Sequence, residues 1–207
     1  AGVIVSASAG NAGTVGSVAH NSPWLITVAA STQAREFKGY VTNLSGGTGT
    51  ARSPLIGASL YPGSVTGQFK LAPVQAGESV APSLCQQPYA PGTFSATDIV
   101  ICRRGVNARV LKYANVFAGG AGGGIIVNAA DNQGIVADYC AKVCIHLEKN
   151  ATLESVAGEA LVTYVQSGTV NGQADGGVKV MGDGDKMAGF SSMGPSPIKN
   201  VLKPDVT

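Results

Sequence analysis

Apolar residues fall in short runs along this chain, and glycine, asparagine, serine or proline bounds almost every run. That pattern predicts strands joined by turns. Ala1-Gly2-Val3-Ile4-Val5 reads as a strand already under way, followed by a glycine loop and a second apolar strand from Trp24 to Ala30. Residues 35–95 predict a series of short strands. Turn signals such as Ser45-Gly46-Gly47-Thr48-Gly49, Tyr61-Pro62-Gly63 and Tyr89-Ala90-Pro91-Gly92 separate them.

The middle of the chain changes character. Asp98-Ile99-Val100-Ile101-Cys102 predicts a continuous buried strand. From Asn107 onward, Val110, Leu111, Ala114, Phe117 and Ala118 recur at helical spacing, and Gly119-Gly120 stops the helix. Gly124-Ile125-Ile126-Val127-Asn128 predicts a second buried strand, so a strand–helix–strand unit with parallel strands is expected. A pair of short strands is expected around Cys140 and Cys144, and a helix from Leu153 to Gln166. Residues 168–186 read as a polar, glycine-rich return.

Composition narrows the class. The chain has 207 residues, 44% hydrophobic and 13% charged, enough for one large or two small domains with a sizeable core. With 29 glycines and only 6% aromatics, a β-rich, turn-rich architecture follows more naturally than a helical bundle. A net charge of +2 with no basic run argues against nucleic-acid partners. The longest apolar tract, Val116 to Val127, is broken by glycines and too short to span a bilayer, so no membrane partner is expected. No leader-like segment is read, and both ends read as cut from a longer polypeptide.

Four cysteines, Cys85, Cys102, Cys140 and Cys144, fit an exported, oxidised protein. Cys85 with Cys102 is the better candidate bridge, and closing that loop stabilises by about 3 kcal/mol in a chain-entropy model. Cys140 and Cys144 can pair locally, and the sequence leaves the connectivity open. Two N-glycosylation sequons, Asn43-Leu44-Ser45 and Asn150-Ala151-Thr152, matter only in a eukaryotic host.

The most telling chemistry sits near the start, in Ser8-Ala9-Gly10-Asn11-Ala12-Gly13. A strand of small residues runs into a Gly-Asn-x-Gly turn. Glycine supplies unusual backbone angles, and asparagine presents an amide that donates to an anion. That combination suits an oxyanion hole.

Together with Ser22-Pro23-Trp24-Leu25-Ile26-Thr27-Val28, Gly189-Phe190-Ser191-Ser192-Met193-Gly194-Pro195 and Leu202-Lys203-Pro204-Asp205-Val206, this segment resembles the subtilisin-like serine proteases, the subtilases. Ile101-Cys102-Arg103-Arg104-Gly105-Val106-Asn107-Ala108-Arg109-Val110, followed by Ala118-Gly119-Gly120-Ala121-Gly122-Gly123, resembles the protease-associated (PA) domain of pyrolysin-like subtilases. The order matches the family, in which the PA domain is inserted between the oxyanion-hole asparagine and the catalytic serine. The resemblance implies that Asn11 is the oxyanion residue and that Ser8, Ala9 and Gly10 line a wall of the primary specificity pocket. It implies a mixed α/β fold, with an open, barrel-like PA domain carrying a βαβ unit and flanked by strands of a subtilisin-like core. The expected division is residues 1–34 and 187–207 for the catalytic framework and 35–186 for the insert, whose PA core is about 55–168. The catalytic serine, histidine and aspartate segments of the family are not found. Met193 stands where the family often has arginine.

Other motifs have plainer readings. Ser191 and Ser192 mimic a nucleophile segment, but the Gly-x-Ser-x-Gly spacing is missing. His20 precedes a strand, and no carboxylate partner for a triad is implied. Cys140, Cys144 and His146 suggest zinc only weakly, lacking a fourth ligand. The glycines at 119–124 follow a helix and open a strand, the reverse of a phosphate loop. Asp183-Gly184-Asp185 supplies too few oxygens for calcium and reads as a solvated turn, with calcium left to the parent enzyme. Arg103, Arg104 and Arg109 read as a solvated rim, with a contact site for a partner or substrate as the alternative.

The expectation is thus a non-catalytic middle segment of a secreted serine endopeptidase. Its substrates would be proteins or peptides, its PA domain would control substrate access or protein association, and it would need no cofactor. The alternative is a stand-alone PA-type peptide-binding module. Strands lifted from a parallel sheet expose edges, so self-association is also expected.

Overall fold

In the computed structural model of the chain, residues 2–49, 53–131, 133–150 and 158–207 are described. Residues 153–157 of the expected 153–166 helix, and residues 151 and 152 of the Asn150-Ala151-Thr152 sequon, lie outside them. The chain forms two units, one of Ala1–Glu36 with Met181–Thr207 and one of Phe37–Val180.

The smaller unit holds two short strands, β1 (Ser6–Ser8) and β2 (Ile26–Val28), paired in parallel with Ala7 opposite Thr27. Both are shorter than expected. Val3 and Ile4 precede β1 and are over four-fifths exposed, and Trp24 is also exposed, so neither run extends its strand. The C-terminal segment completes the unit through single bridges, Val15 with Met193, Val28 with Val206 and Ser31 with Met187.

The larger unit is mostly β. It comprises β3 (Arg35–Ser45), β4 (Leu55–Ala58), β5 (Gly63–Leu71), β6 (Ile99–Arg103), α1 (Arg109–Ala118), β7 (Gly123–Val127), β8 (Val143–Leu147), α2 (Gly158–Gln166) and β9 (Val170–Met181). The strands close into a barrel in the order β3-β4-β8-β7-β6-β5-β9. The expected open barrel is therefore corrected to a closed one. Closure depends on β9, which pairs antiparallel with β5 from Gly63 opposite Gly176 to Phe69 opposite Val170. That strand occupies the stretch read from sequence as a polar return. Where two strands were expected around the cysteines, β8 alone forms, in parallel with β7.

The period-two side-chain alternation of strands builds two cores from three strands. Ile99 and Ile101 of β6, Ile125 and Val127 of β7, and Val143, Ile145 and Leu147 of β8 join one cluster with Val41, Leu55, Phe69 and Val170. Leu161, Val162 and Val165 of α2 belong to the same cluster. The intervening Val100, Cys102, Ile126 and Cys144 join a second cluster with Tyr113 and Val116 of α1, together with Tyr89 and Phe94. A register slip of one residue would exchange the two sets.

Helix α1 sits where its periodicity placed it, but it buries a different face. Val110 and Leu111 are about half exposed, whereas Lys112, Tyr113, Asn115 and Val116 are buried. The polar pair is buried because it bonds the loop beneath. Lys112 Nζ donates to the Leu84 carbonyl and to Asn107 Oδ1, and Asn115 Nδ2 donates to the Cys85 carbonyl at 2.8 Å. Gly120, at φ +106°, turns the chain out of the helix. Cys85 is bonded to Cys102, and Cys140 to Cys144.

Candidate functional site

The smaller unit contains a groove of about 400 Å³, lined by the run from Ser6 to Asn11, by Val28 to Ala30, and by Ser191. Small side chains make it possible, since strand β1 and the turn after it carry nothing larger than serine before Asn11. On one edge β1 meets β2, where Ile26 N–H donates to Val5 O at 3.0 Å and Ala9 N–H donates to Val28 O at 2.7 Å. On its other edge the Ser8 carbonyl accepts from His20 Nδ1 at 2.7 Å. His20 therefore secures the strand beside the groove, and its Nδ1 is the protonated nitrogen of that contact.

The turn after β1 is tightly specified. Gly10 has φ +103°, and a Cβ there would lie 2.8 Å from Ser192 Oγ. Gly13 has φ +65°, and a Cβ there would lie 2.7 Å from the Gly189 carbonyl oxygen. Glycine is required at both on conformational and steric grounds. Asn11 stands between them, exposed at the groove.

Ser191 and Ser192 hold this turn. Both are 1% exposed. Ser192 N–H donates to Gly10 O at 2.9 Å, and its hydroxyl accepts from Ala12 N–H at 3.1 Å. The Ser191 hydroxyl accepts from Ala30 N–H at 3.1 Å and donates to the Ser192 carbonyl at 3.3 Å. The Lys-Pro-Asp segment serves β2 in a similar way. Buried Lys203 donates to Leu25 O and to Asp205 Oδ2, both at 2.6 Å, and Thr27 N–H donates to the same carboxylate at 2.6 Å. These contacts hold the Asp205 carboxyl below its ordinary range, the Lys203 hydrogen bond most of all.

Over 219 residues this chain is 33% identical to subtilisin-like protease SBT1.4 of Arabidopsis thaliana, covering 99% of this chain and 26% of the relative. It is 34% identical over 217 residues to subtilisin-like protease SBT1.7 of the same plant, covering 99% of this chain and 27% of that relative. The chain corresponds to a segment of a subtilisin-like protease. It spans about a quarter of the length of these relatives. A solved structure, the psychrophilic subtilisin-like protease Apa1 from Pseudoalteromonas sp. AS-11, is 14% identical over 88% of this chain and 50% of its own. The TM-score of that match is 0.38. No protein-family model matches the chain.

Most of the remaining motifs lie in the barrel unit, and Asp183-Gly184-Asp185 lies in the smaller one. The arginines are no solvated rim. Arg103 makes a two-pronged ion pair with Glu159 at 2.6 and 3.1 Å, and Arg109 another with Asp138 at 2.7 and 3.0 Å. Arg104 donates to Asn128 Oδ1 and to the carbonyls of Gln133 and Gly134 at 3.0–3.1 Å. These arginines fasten the loops that follow β7 and the start of α2.

The zinc reading of Cys140, Cys144 and His146 gives way to a disulfide and a hydrogen-bonded histidine. His146 Nδ1 accepts from Val136 N–H at 3.0 Å, and Nε2–H donates to Asn128 Oδ1 at 2.8 Å. Burial, seconded by Arg104 and Arg109, pushes its pKa down to about 3, so the ring is neutral. Among the described residues, no group of three His, Cys, Asp or Glu is placed to hold a metal ion. Asp183 pairs with Lys186, and its carbonyl accepts from Thr32 Oγ1 at 2.6 Å. The glycines at 122–124 serve packing, for Cβ atoms at Gly122 and Gly124 would meet Ala96 O at 1.9 Å and the Tyr113 ring at 2.8 Å.

The roles of Ser191, Ser192, Lys203 and Asp205 escaped sequence reasoning. Each acts on a backbone group about 160–180 residues away, and no local pattern reports such a contact.

Proposed function

We propose that this chain supplies a secreted serine endopeptidase with its oxyanion donor, Asn11, and with one wall of its substrate groove, Ser8, Ala9 and Gly10. The observation that carries this reading is the groove itself. It runs along small-residue strand β1 and ends at an exposed Asn11 on a turn that glycine alone permits. An amide fixed at the end of such a groove would meet the charge developing on a peptide carbonyl during acyl transfer. The serine, histidine and aspartate of the reaction would come from polypeptide outside these residues. The subtilisin-like names of relatives aligned over nearly the whole chain support a peptide or protein substrate.

The barrel unit would be the inserted PA domain, controlling which substrates reach the groove or mediating association with other proteins. Its two disulfides support an exported setting, and no helix of the described residues is long and apolar enough to cross a membrane. Val3, Ile4, Trp24 and Leu202 of the smaller unit are largely exposed, which supports self-association or cover by further polypeptide. A second reading, a free-standing PA-type binding module, draws support from the barrel having its own closed core.

The test is Asn11→Ala in the intact protease that carries this segment. A fall in kcat of about 10²–10³ with KM little changed is expected, the loss typical of one oxyanion-hole donor. Unchanged kcat would refute the oxyanion role.

A further inference from the structure

We propose that Ser192 is a positioning residue for the oxyanion donor, acting through the backbone on either side of Asn11. This rests on the reading of Asn11 given above. Ser192 grips the turn at two points that bracket that residue. Its N–H donates to the carbonyl of Gly10, the residue before, at 2.9 Å. Its hydroxyl accepts from the N–H of Ala12, the residue after, at 3.1 Å. Both peptide groups flanking Asn11 are thereby tied to one buried side chain and its backbone.

The shape of the turn agrees. A Cβ on Gly10 would lie 2.8 Å from the same hydroxyl oxygen, so the oxygen occupies the space a side chain would otherwise fill. The Ser191 hydroxyl donates to the Ser192 carbonyl and accepts from Ala30 N–H, linking Ser192 to a residue that lines the groove just after β2. The Ser-Ser pair, which resembles a nucleophile segment without its spacing, thus serves as a clamp. Ser192 is buried and is not among the residues that line the groove. Its effect would come through the place from which the Asn11 amide reaches. A donor displaced by a fraction of an ångström loses much of its worth in a transition state.

The experiment is a double-mutant cycle in the intact protease, with Ser192→Ala, Asn11→Ala and the double variant assayed on a peptide substrate. Ser192→Ala is expected to lower kcat about tenfold with KM changed less than about twofold. In the Asn11→Ala background the same substitution is expected to change kcat by less than about twofold, because the donor it positions is gone. An unchanged kcat in Ser192→Ala overturns the proposal, and so does an equal loss in both backgrounds. If Asn11→Ala itself leaves kcat intact, the oxyanion reading fails, and the positioning role with it.

Should Ser192→Ala not fold, hydrogen exchange at Ala12 in the unmodified protein decides. Ala12 is an exposed residue, so clear protection of its amide is expected only if the hydroxyl holds it. Exchange at the rate of a free amide overturns the clamp.

Discussion

Gly124 of β7 lies directly under the ring of Tyr113 of α1, and a methyl group on Gly124 would stand 2.8 Å from Tyr113 Cδ1. The ring belongs to the second core cluster, and Tyr113 is 3% exposed. Both partners are buried. Gly124→Ala is expected to destabilise the barrel unit by about 1–3 kcal/mol, the usual cost of overpacking. Thermal unfolding of the 207-residue chain measures it. A midpoint equal to that of the unmodified chain would mean that the helix does not rest on the strand this closely.

His146 makes the barrel unit sensitive to mild acid. Its folded-state pKa of about 3 lies below the 6.5 of a free histidine, because burial disfavours the charged ring. Between those values the unfolded chain holds a proton that the folded chain lacks. The stability is therefore complete above about pH 6.5 and falls as pH drops toward 3, by up to about 1.4 kcal/mol per pH unit. Unfolding midpoints measured from about pH 7 down to pH 4.5 are expected to decline, and His146→Gln is expected to flatten the decline. Parallel curves for the two proteins would contradict a neutral, buried His146.

The two disulfides differ in the loop they close. Cys85 and Cys102 are 17 residues apart and Cys140 and Cys144 only 4. Loop entropy assigns about 3 kcal/mol to the first and about 2 kcal/mol to the second. Replacing the first pair with alanines is expected to lower the denaturant midpoint more than replacing the second. The first pair also anchors the loop that Lys112 and Asn115 bond, which adds to the difference. The reverse order would show that the Cys140–Cys144 link organises more than its own short loop.

Asp205 joins the C-terminal segment to β2 by accepting from Thr27 N–H and from buried Lys203. Its lowered pKa means that this contribution is present at neutral pH and lost as pH falls through the folded-state value. Asp205→Asn is expected to speed hydrogen exchange of the Thr27 amide at neutral pH. An exchange rate unchanged from the parent chain would rule out the carboxylate as the group that holds the strand.

What could be read from the sequence was local. Ile99 to Cys102 and Gly124 to Val127 announced buried strands, because a strand covered on both faces is apolar at every position. The position of α1 was legible in its apolar spacing, but its buried face was not. Lys112 and Asn115 are ordinary surface residues until the loop carbonyls of Leu84 and Cys85 are brought beneath them. Strand β9 was missed for a related reason. Its glycines read as part of a polar return, yet Gly172 and Gly176 lie so close to the Thr42 carbonyl and the Ser59 hydroxyl that Cβ atoms would stand 2.9 and 2.5 Å from them. Close approach of backbones, set by closure of the barrel, selected glycine at these places. At the groove, Asn11 and its glycines were visible as a motif. The serines that hold them were not, for their partners lie at the other end of the chain.

The most direct measurement is a crystal structure of the intact protease with a peptide boronate bound as a mimic of the tetrahedral intermediate. The account places a boronate oxygen within about 2.7–3.1 Å of Asn11 Nδ2, with the peptide along β1 and Ser192 still bonded to Ala12 N–H. A boronate held elsewhere, or one whose oxygen turns away from Asn11, would contradict the assignment of this groove.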